Sequence, residues 1–394
     1  MVASQSEYIE SVDELRSLLR QARVDGRYGI DLEFIREKSY YPKLALIQIS
    51  VGSTYKLLDP LSEMDLKPLL ETVSDPAIVK IVHAGGQDME ILELESGVTP
   101  ANVFDTQIAA AFLGLGLQPA YSATCERILG KFVQKGESWT NWLKRPLSSS
   151  QEAYALDDVR HLIPLHDALT KSLEEENRLS WALAEMEKYS LKETYHPPLD
   201  LRLKKVKKAG SLDPKGLAIL GPLFEWRESE AGRQDRPRRR ILSDELLVEL
   251  ARRAPGDRNS LSGLRGIDPR DVKRYGDGIL KAISRGRSIP NSEIPEIKRR
   301  RRLEPAEEAA LELATSALRA LCRAERIAPP LVGNQGDVED LVRARINKDP
   351  YIDSLKLLSG WRGELFGQRL LRFLSGDSAL RIDPRSGYPN LDEG

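Results

Sequence analysis

The chain has 394 residues, 41% of them hydrophobic and 30% charged, with a formal net charge of -1, and reads as a soluble globular protein long enough for two or three domains. Its charge is uneven: residues 1–200 carry 20 basic against 31 acidic side chains, and residues 201–394 carry 39 against 29, so a front half suited to metal precedes a rear half suited to a polyanion. Only Cys125 and Cys322 occur, no run of about 18 apolar residues exists and the start lacks the basic-then-apolar order of a secretory signal, which excludes a disulfide framework and a membrane span and leaves a cytoplasmic protein as the expectation.

An amphipathic helix is predicted near 11–21, where Ser11 and Glu14 have capping-box spacing. Strand-like runs follow at 28–34, 43–51 and 54–58, and the short Gly52-Ser53 connection predicts a hairpin, so the three are expected to be antiparallel neighbours. From Met64 the pattern becomes helix, strand (78–82), helix from about Gly86, a short strand at Val103-Phe104, then more helix. Crossovers of that kind imply a mixed α/β sheet covered by helices. A long helical stretch at 148–176 opens with Ser148 and Gln151 in capping-box spacing, and Pro164 should kink or divide it.

The front domain is expected to span 1–195. A linker at 196–210 follows, stiffened by Pro197 and Pro198 and extended by the like charges Lys204, Lys205, Lys207 and Lys208. Two all-helical stretches, 211–290 and 303–378, are each the size of a small bundle. Between them lies a basic segment, 291–302, ending in Lys298-Arg299-Arg300-Arg301-Arg302. The two stretches share a faint order, with short mid helices at 244–253 and 336–345. Residues 379–394 read as a tail, mobile from Ile382 on.

Five residues carry the chemistry. Asp31 and Glu33 lie two apart in Tyr-Gly-Ile-Asp-Leu-Glu-Phe, so a strand sends both carboxylates to one face. Tyr154 and Asp158 are four apart and stack on one face of a helix, whereas Asp157 points about a hundred degrees away. Asp88 follows a buried-looking strand and the pair Gly85-Gly86, which would allow close approach; its rival Asp105 looks like an N-cap. Carboxylates converging from separate elements repel one another unless cations join them. Oxygen donors of this kind suit Mg²⁺ or Mn²⁺, and two such ions activate water for phosphodiester hydrolysis. Tyr154, with an ordinary pKa of about 10, suits orienting that water better than deprotonating it.

In this order and context the five residues resemble the DEDDy class of 3′–5′ exonucleases, and the chain as a whole is similar to the ribonuclease D family. The match runs through Asp31-Leu32-Glu33, Leu46-Ile47-Gln48-Ile49, His83-Ala84 with Asp88, Arg145-Pro146-Leu147-Ser148, and Tyr154 with Asp158. The resemblance implies a ribonuclease H-like α/β exonuclease domain that releases nucleoside 5′-monophosphates from an RNA 3′ end, with tRNA precursors as substrate. It implies that Asp31 bridges two ions, that Glu33 and Asp158 complete one site, that Asp88 serves the other and that Tyr154 holds the water. It also places His83 near the substrate end, with Gln48 a further candidate substrate contact; a lone His at a strand end is more often structural.

Tyr40, Tyr41, Trp139 and Trp142 are candidates for base stacking, with core packing the commoner role. Residues 211–290, through Leu223-Phe224-Glu225-Trp226-Arg227 and Tyr275-Gly276-Asp277-Gly278, resemble the HRDC domain, and 303–378 does so more loosely, through Ser359-Gly360-Trp361-Arg362. Arg238, Arg239 and Arg240, together with the 298–302 run, are candidate phosphate contacts. The expectation is therefore a metal-dependent 3′–5′ exoribonuclease with no obligate protein partner. A DNA exonuclease of the same class and an inactive RNA-binding scaffold are the alternatives.

Overall fold

The computed structural model describes residues 7–133, 140–294 and 301–392. Five strands form one mixed sheet in the order β3-β2-β1-β4-β5, comprising β1 (Arg27–Ile35), β2 (Lys43–Val51), β3 (Thr54–Leu58), β4 (Val79–Val82) and β5 (Val103–Asp105). β2 pairs antiparallel with β1 and β3, while β4 runs parallel to β1 and β5. The expected antiparallel trio is therefore present. Alternation along β1 divides its side chains cleanly: Tyr28, Ile30 and Leu32 are buried in the main core with Leu15 and Leu19 of the Val12–Asp25 helix. Gly29, Asp31 and Glu33 take the opposite face, where a Cβ on Gly29 would meet Leu162 at 2.9 Å. The helices Ser149–Arg160 and Leu162–Glu175 thus cover the carboxylate face, divided at His161 just ahead of Pro164.

Behind this domain, the helices Pro214–Arg233, Asp244–Arg253 and Pro269–Arg287 enclose a separate hydrophobic core. The structure differs from the sequence reading at 196–210. Leu199–Lys204 is helical, and Leu203, Val206 and Ala209 are buried in that bundle's core while the intervening lysines face out. Apolar residues every third position won over the like charges, because burying them offsets the ordering of the segment. The tail differs likewise: Ala379–Ile382 and Pro389–Asp392 pair as a hairpin, and Leu391, 5% exposed, packs into the core.

The last bundle, built on Pro305–Ala324, Gln335–Ile346 and Gln368–Ser375, does not stand alone. Its apolar residues are continuous with the core of the sheet domain. Trp361 lies 5.0 Å from Phe112 and 6.2 Å from Trp181 between ring centroids, and Arg362 grips Glu185 at 2.6 and 2.9 Å. The first bundle docks elsewhere. Backbone N–H groups of Tyr40 and Tyr41 donate to Asp235 at 3.0 and 3.1 Å, and the Tyr40 hydroxyl donates to Glu228 at 3.1 Å.

Candidate active site

β1 delivers Asp31 and Glu33, and the facing helix delivers Asp158. Carboxylate oxygens of all three lie within 4.8 Å of one another. Register explains the placement. Asp31 pairs with Gln48 and Glu33 with Leu46, and the ladder shifts between Glu33 and Phe34 before pairing resumes at Phe34-Leu44, so the pair sits directly ahead of a bulge in β1. Asp158 reaches the same spot from one turn beyond Tyr154 on the same helix face, close enough for each to shift the other's pKa.

Asp88 arrives from a third direction, in the first turn of the Gly86–Ser96 helix, and is 7% exposed. Asp105 fixes that approach. Its carboxylate accepts the N–H groups of Ala84 (2.9 Å), Gly85 (3.2 Å) and Gln107 (2.9 Å) and the Tyr189 hydroxyl (2.6 Å). Ala84, at φ 58, is held in the left-handed turn that launches the helix. Asp105 is thus an N-cap that also braces the strand-to-helix turn carrying Asp88. The room expected at Gly85-Gly86 is used differently at the two positions. A Cβ on Gly85 would collide with Val82 at 2.4 Å, so the close approach there is internal, while Gly86 faces open space.

Electrostatically the cluster is unbalanced. Burial, then the charges of Asp31 and Asp158, pushes the Glu33 carboxyl up to about 9. Burial raises Asp31; burial and then Asp31 raise Asp158; burial, then Asp31, Glu33 and Asp105, raise Asp88 well above the carboxylate range. Among the described residues no lysine or arginine forms a salt bridge with any of the four. A half-buried group of hard oxygen donors with no counter-charge fits divalent metal.

The remaining candidates scatter. His83 has both ring nitrogens engaged, Nδ1 with Thr106 Oγ1 at 2.9 Å and Nε2 with the Pro119 carbonyl at 3.0 Å. Gln48 is fully buried on the Asp31 side of the sheet, and neither its amide nitrogen nor its oxygen has a protein partner. Arg145, ahead of the last motif, chelates Asp59 at 2.5 and 2.7 Å and donates to the Ala45 and Trp142 carbonyls, which anchors the chain onto β2. Trp142 is core, 3% exposed, and lies 6.1 Å from the Tyr154 ring. Trp139 and Lys298, Arg299 and Arg300 lie outside the described residues. Of the basic run, Arg301 is tied to Glu307, the glutamate that with Glu304 forms the capping box opening the Pro305–Ala324 helix.

Arg238, Arg239 and Arg240 line a cleft of about 870 Å³ between the first bundle and the sheet domain, together with Arg36 and Tyr40. Glu90, on the helix that carries Asp88, lines it too. Arg238 also lies 3.5 Å from Glu228, whereas Arg239 and Arg240 are exposed with no carboxylate in salt-bridge reach among the described residues. Tyr121, which no motif singled out, lies beside Asp158 with Cys125.

A mixed sheet presenting a carboxylate cluster with an adjacent tyrosine defines a 3′–5′ exonuclease, and residues 6–174 match the 3′–5′ exonuclease family model, while 216–283 match the HRDC domain. The similarity extends over nearly the whole chain. Ribonuclease D of Gluconacetobacter diazotrophicus is 33% identical over 377 residues, covering 95% of this chain and 94% of that protein. Ribonuclease D of Pseudomonas paraeruginosa is 34% identical, covering 95% and 99%. The crystal structure of Escherichia coli RNase D, described as an exoribonuclease involved in structured RNA processing, superposes with a TM-score of 0.79 at 29% identity, covering 94% of this chain and 98% of that one. The chain belongs to the ribonuclease D family, whose exonuclease domain depends on divalent metal.

Proposed function

We propose that this exoribonuclease shortens RNA one nucleotide at a time from the 3′ end, releasing nucleoside 5′-monophosphates, with tRNA precursors as substrate and two Mg²⁺ or Mn²⁺ ions at the acidic cluster. The observation that carries the reading is the trio Asp31, Glu33 and Asp158, within 4.8 Å and without a cation of the protein's own. Asp31, Glu33 and Asp158 would ligate one ion and, with Asp31 shared, Asp88 the other. Ions held there lower the pKa of a bound water and stabilise the leaving oxygen of a phosphodiester. Tyr154, its hydroxyl pKa raised by burial and then by Asp158, stays protonated and orients the attacking water by hydrogen bonding. His83 and Gln48 are better read as supports beneath the site than as substrate contacts. Arg238, Arg239 and Arg240 would take phosphates of the RNA upstream of its 3′ end, and the chain from 303 to 378 is a second, divergent HRDC-like bundle. Two buried free thiols accord with a cytoplasmic enzyme.

The test is incubation with Mg²⁺ or Mn²⁺ and three substrates: 3′-tailed tRNA-like RNA, single-stranded DNA of the same sequence, and the RNA with its 3′ end blocked. Mononucleotides are expected from the first alone. Faster release from DNA would move the substrate to deoxyribose, and no release at low salt would end the catalytic reading.

Proton release follows from the raised carboxyls. Because folded-state pKa values lie above the ordinary ones, the metal-free cluster holds protons at neutral pH, and binding must expel them. Mn²⁺ affinity is therefore expected to rise with pH through the neutral range up to about 9, the value to which Glu33 is pushed. Calorimetric titrations at pH 7 in two buffers of different ionisation enthalpy should differ in heat. Equal heats would mean that the cluster is already ionised.

A further inference from the structure

The helix carrying Asp158 ends abruptly at His161, whose φ of -106 breaks the run before Leu162–Glu175 begins. In a continuous helix the His161 N–H would donate to the Asp157 carbonyl. The Tyr121 hydroxyl stands between the two instead: it donates to the Asp157 carbonyl at 3.1 Å and accepts the His161 N–H at 3.1 Å. A side chain inserted into the hydrogen-bond ladder fixes the direction of a kink. Asp158 lies inside this stitched turn, and its charge bears on both Tyr121 and Cys125, which sit one turn apart on the facing helix Tyr121–Leu129.

The ring of Tyr121 is itself seated. His83 meets it edge to face, 5.4 Å between centroids. Nε2 donates to the Pro119 carbonyl at 3.0 Å, two residues before Tyr121, and Nδ1 lies 2.9 Å from the Thr106 hydroxyl, which itself donates to the Val82 carbonyl. His83 directly follows β4, whose end also feeds the turn to Asp88. One short chain of contacts therefore links the segment delivering Asp88 to the turn delivering Asp158.

We infer that Tyr121 is a positioning residue for the metal site, its hydroxyl holding the kink after Asp157 so that Asp158 meets Asp31 and Glu33 at ligating distance. This rests on the proposed role of Asp158 as a metal ligand. Tyr121→Phe keeps the ring and its contact with His83 and removes only the bridging oxygen. Loss of groups that orient metal ligands lowers affinity by about 10-fold or more.

The experiment is Mn²⁺ titration of the full-length protein without RNA, followed by electron paramagnetic resonance, and kcat and KM on a 3′-tailed RNA. Tyr121→Phe is expected to weaken Mn²⁺ binding by about 10-fold and to lower kcat with KM for RNA unchanged. Ile128→Val, which loses packing in the same helix but no hydrogen bond, is expected to bind Mn²⁺ as the parent does. Unchanged Mn²⁺ binding by Tyr121→Phe, or an equal loss in Ile128→Val, would overturn the inference. Should Asp158→Asn also bind Mn²⁺ normally, the ligand assignment beneath it falls instead.

Discussion

Asp31→Asn is expected to cut nucleotide release from RNA by about 1,000-fold or more while RNA retention stays intact. Asp31 sits at the centre of the cluster: its charge raises the pKa of Glu33, Asp88 and Asp158 alike. Amide for carboxylate keeps the shape and removes a ligand and a charge. Charge stabilisation by metal is worth several kcal/mol, and about 1.4 kcal/mol is a factor of ten in rate. The same substitution removes a carboxyl whose ionised form burial disfavours, so the metal-free variant should melt at the same temperature as the parent or higher, a trade of stability against activity. Initial rates on a fluorescent 3′-tailed RNA, filter retention and thermal melts in chelator would check all three. Activity within tenfold of the parent would remove Asp31 from the centre of the site, and loss of activity together with a lower melting temperature would point to damage to the fold.

Sequence legibility followed the range of the interaction that fixes each residue. Asp31 and Glu33, and Tyr154 and Asp158, are placed by the two- and four-residue periods of their own elements, so their convergence was readable before any contact was known. β2 and β3 have the predicted bounds because alternation and the Gly52 turn are local signals. Tyr121 was not readable, since its partners Asp157 and His161 lie 36 and 40 residues away and a tyrosine opening a helix carries no spacing signal. The surroundings of His83 were not readable for a similar reason: both its partners come from later segments. At 196–210 the charge count concealed Leu203, Val206 and Ala209, whose burial depends on a bundle formed further along the chain.

The last bundle is the other long-range feature, and Trp361 holds it. The indole is 5% exposed, packs between Phe112 and Trp181, and donates from Nε1 to Glu185 at 3.0 Å. The Arg362 guanidinium lies 4.4 Å from the same ring and pairs with that glutamate, so one side chain joins apolar core to ion pair. Trp361→Ala is expected to cost about 3–5 kcal/mol, the range for deleting a large buried aromatic that leaves a cavity. Location decides where the loss is felt. Phe112 closes the helix that Asp105 opens, and Asp105 braces the turn to Asp88, so the strain runs toward the active site and activity should fall with stability. The first bundle has its own separate core and should keep its protection. Hydrogen exchange is expected to accelerate in the sheet domain and in residues 305–375 while the Pro214–Arg233 helix stays slow. Uniform acceleration across all three regions, or a stability loss below about 1 kcal/mol, would show that the bundle is not held to the catalytic domain through this ring.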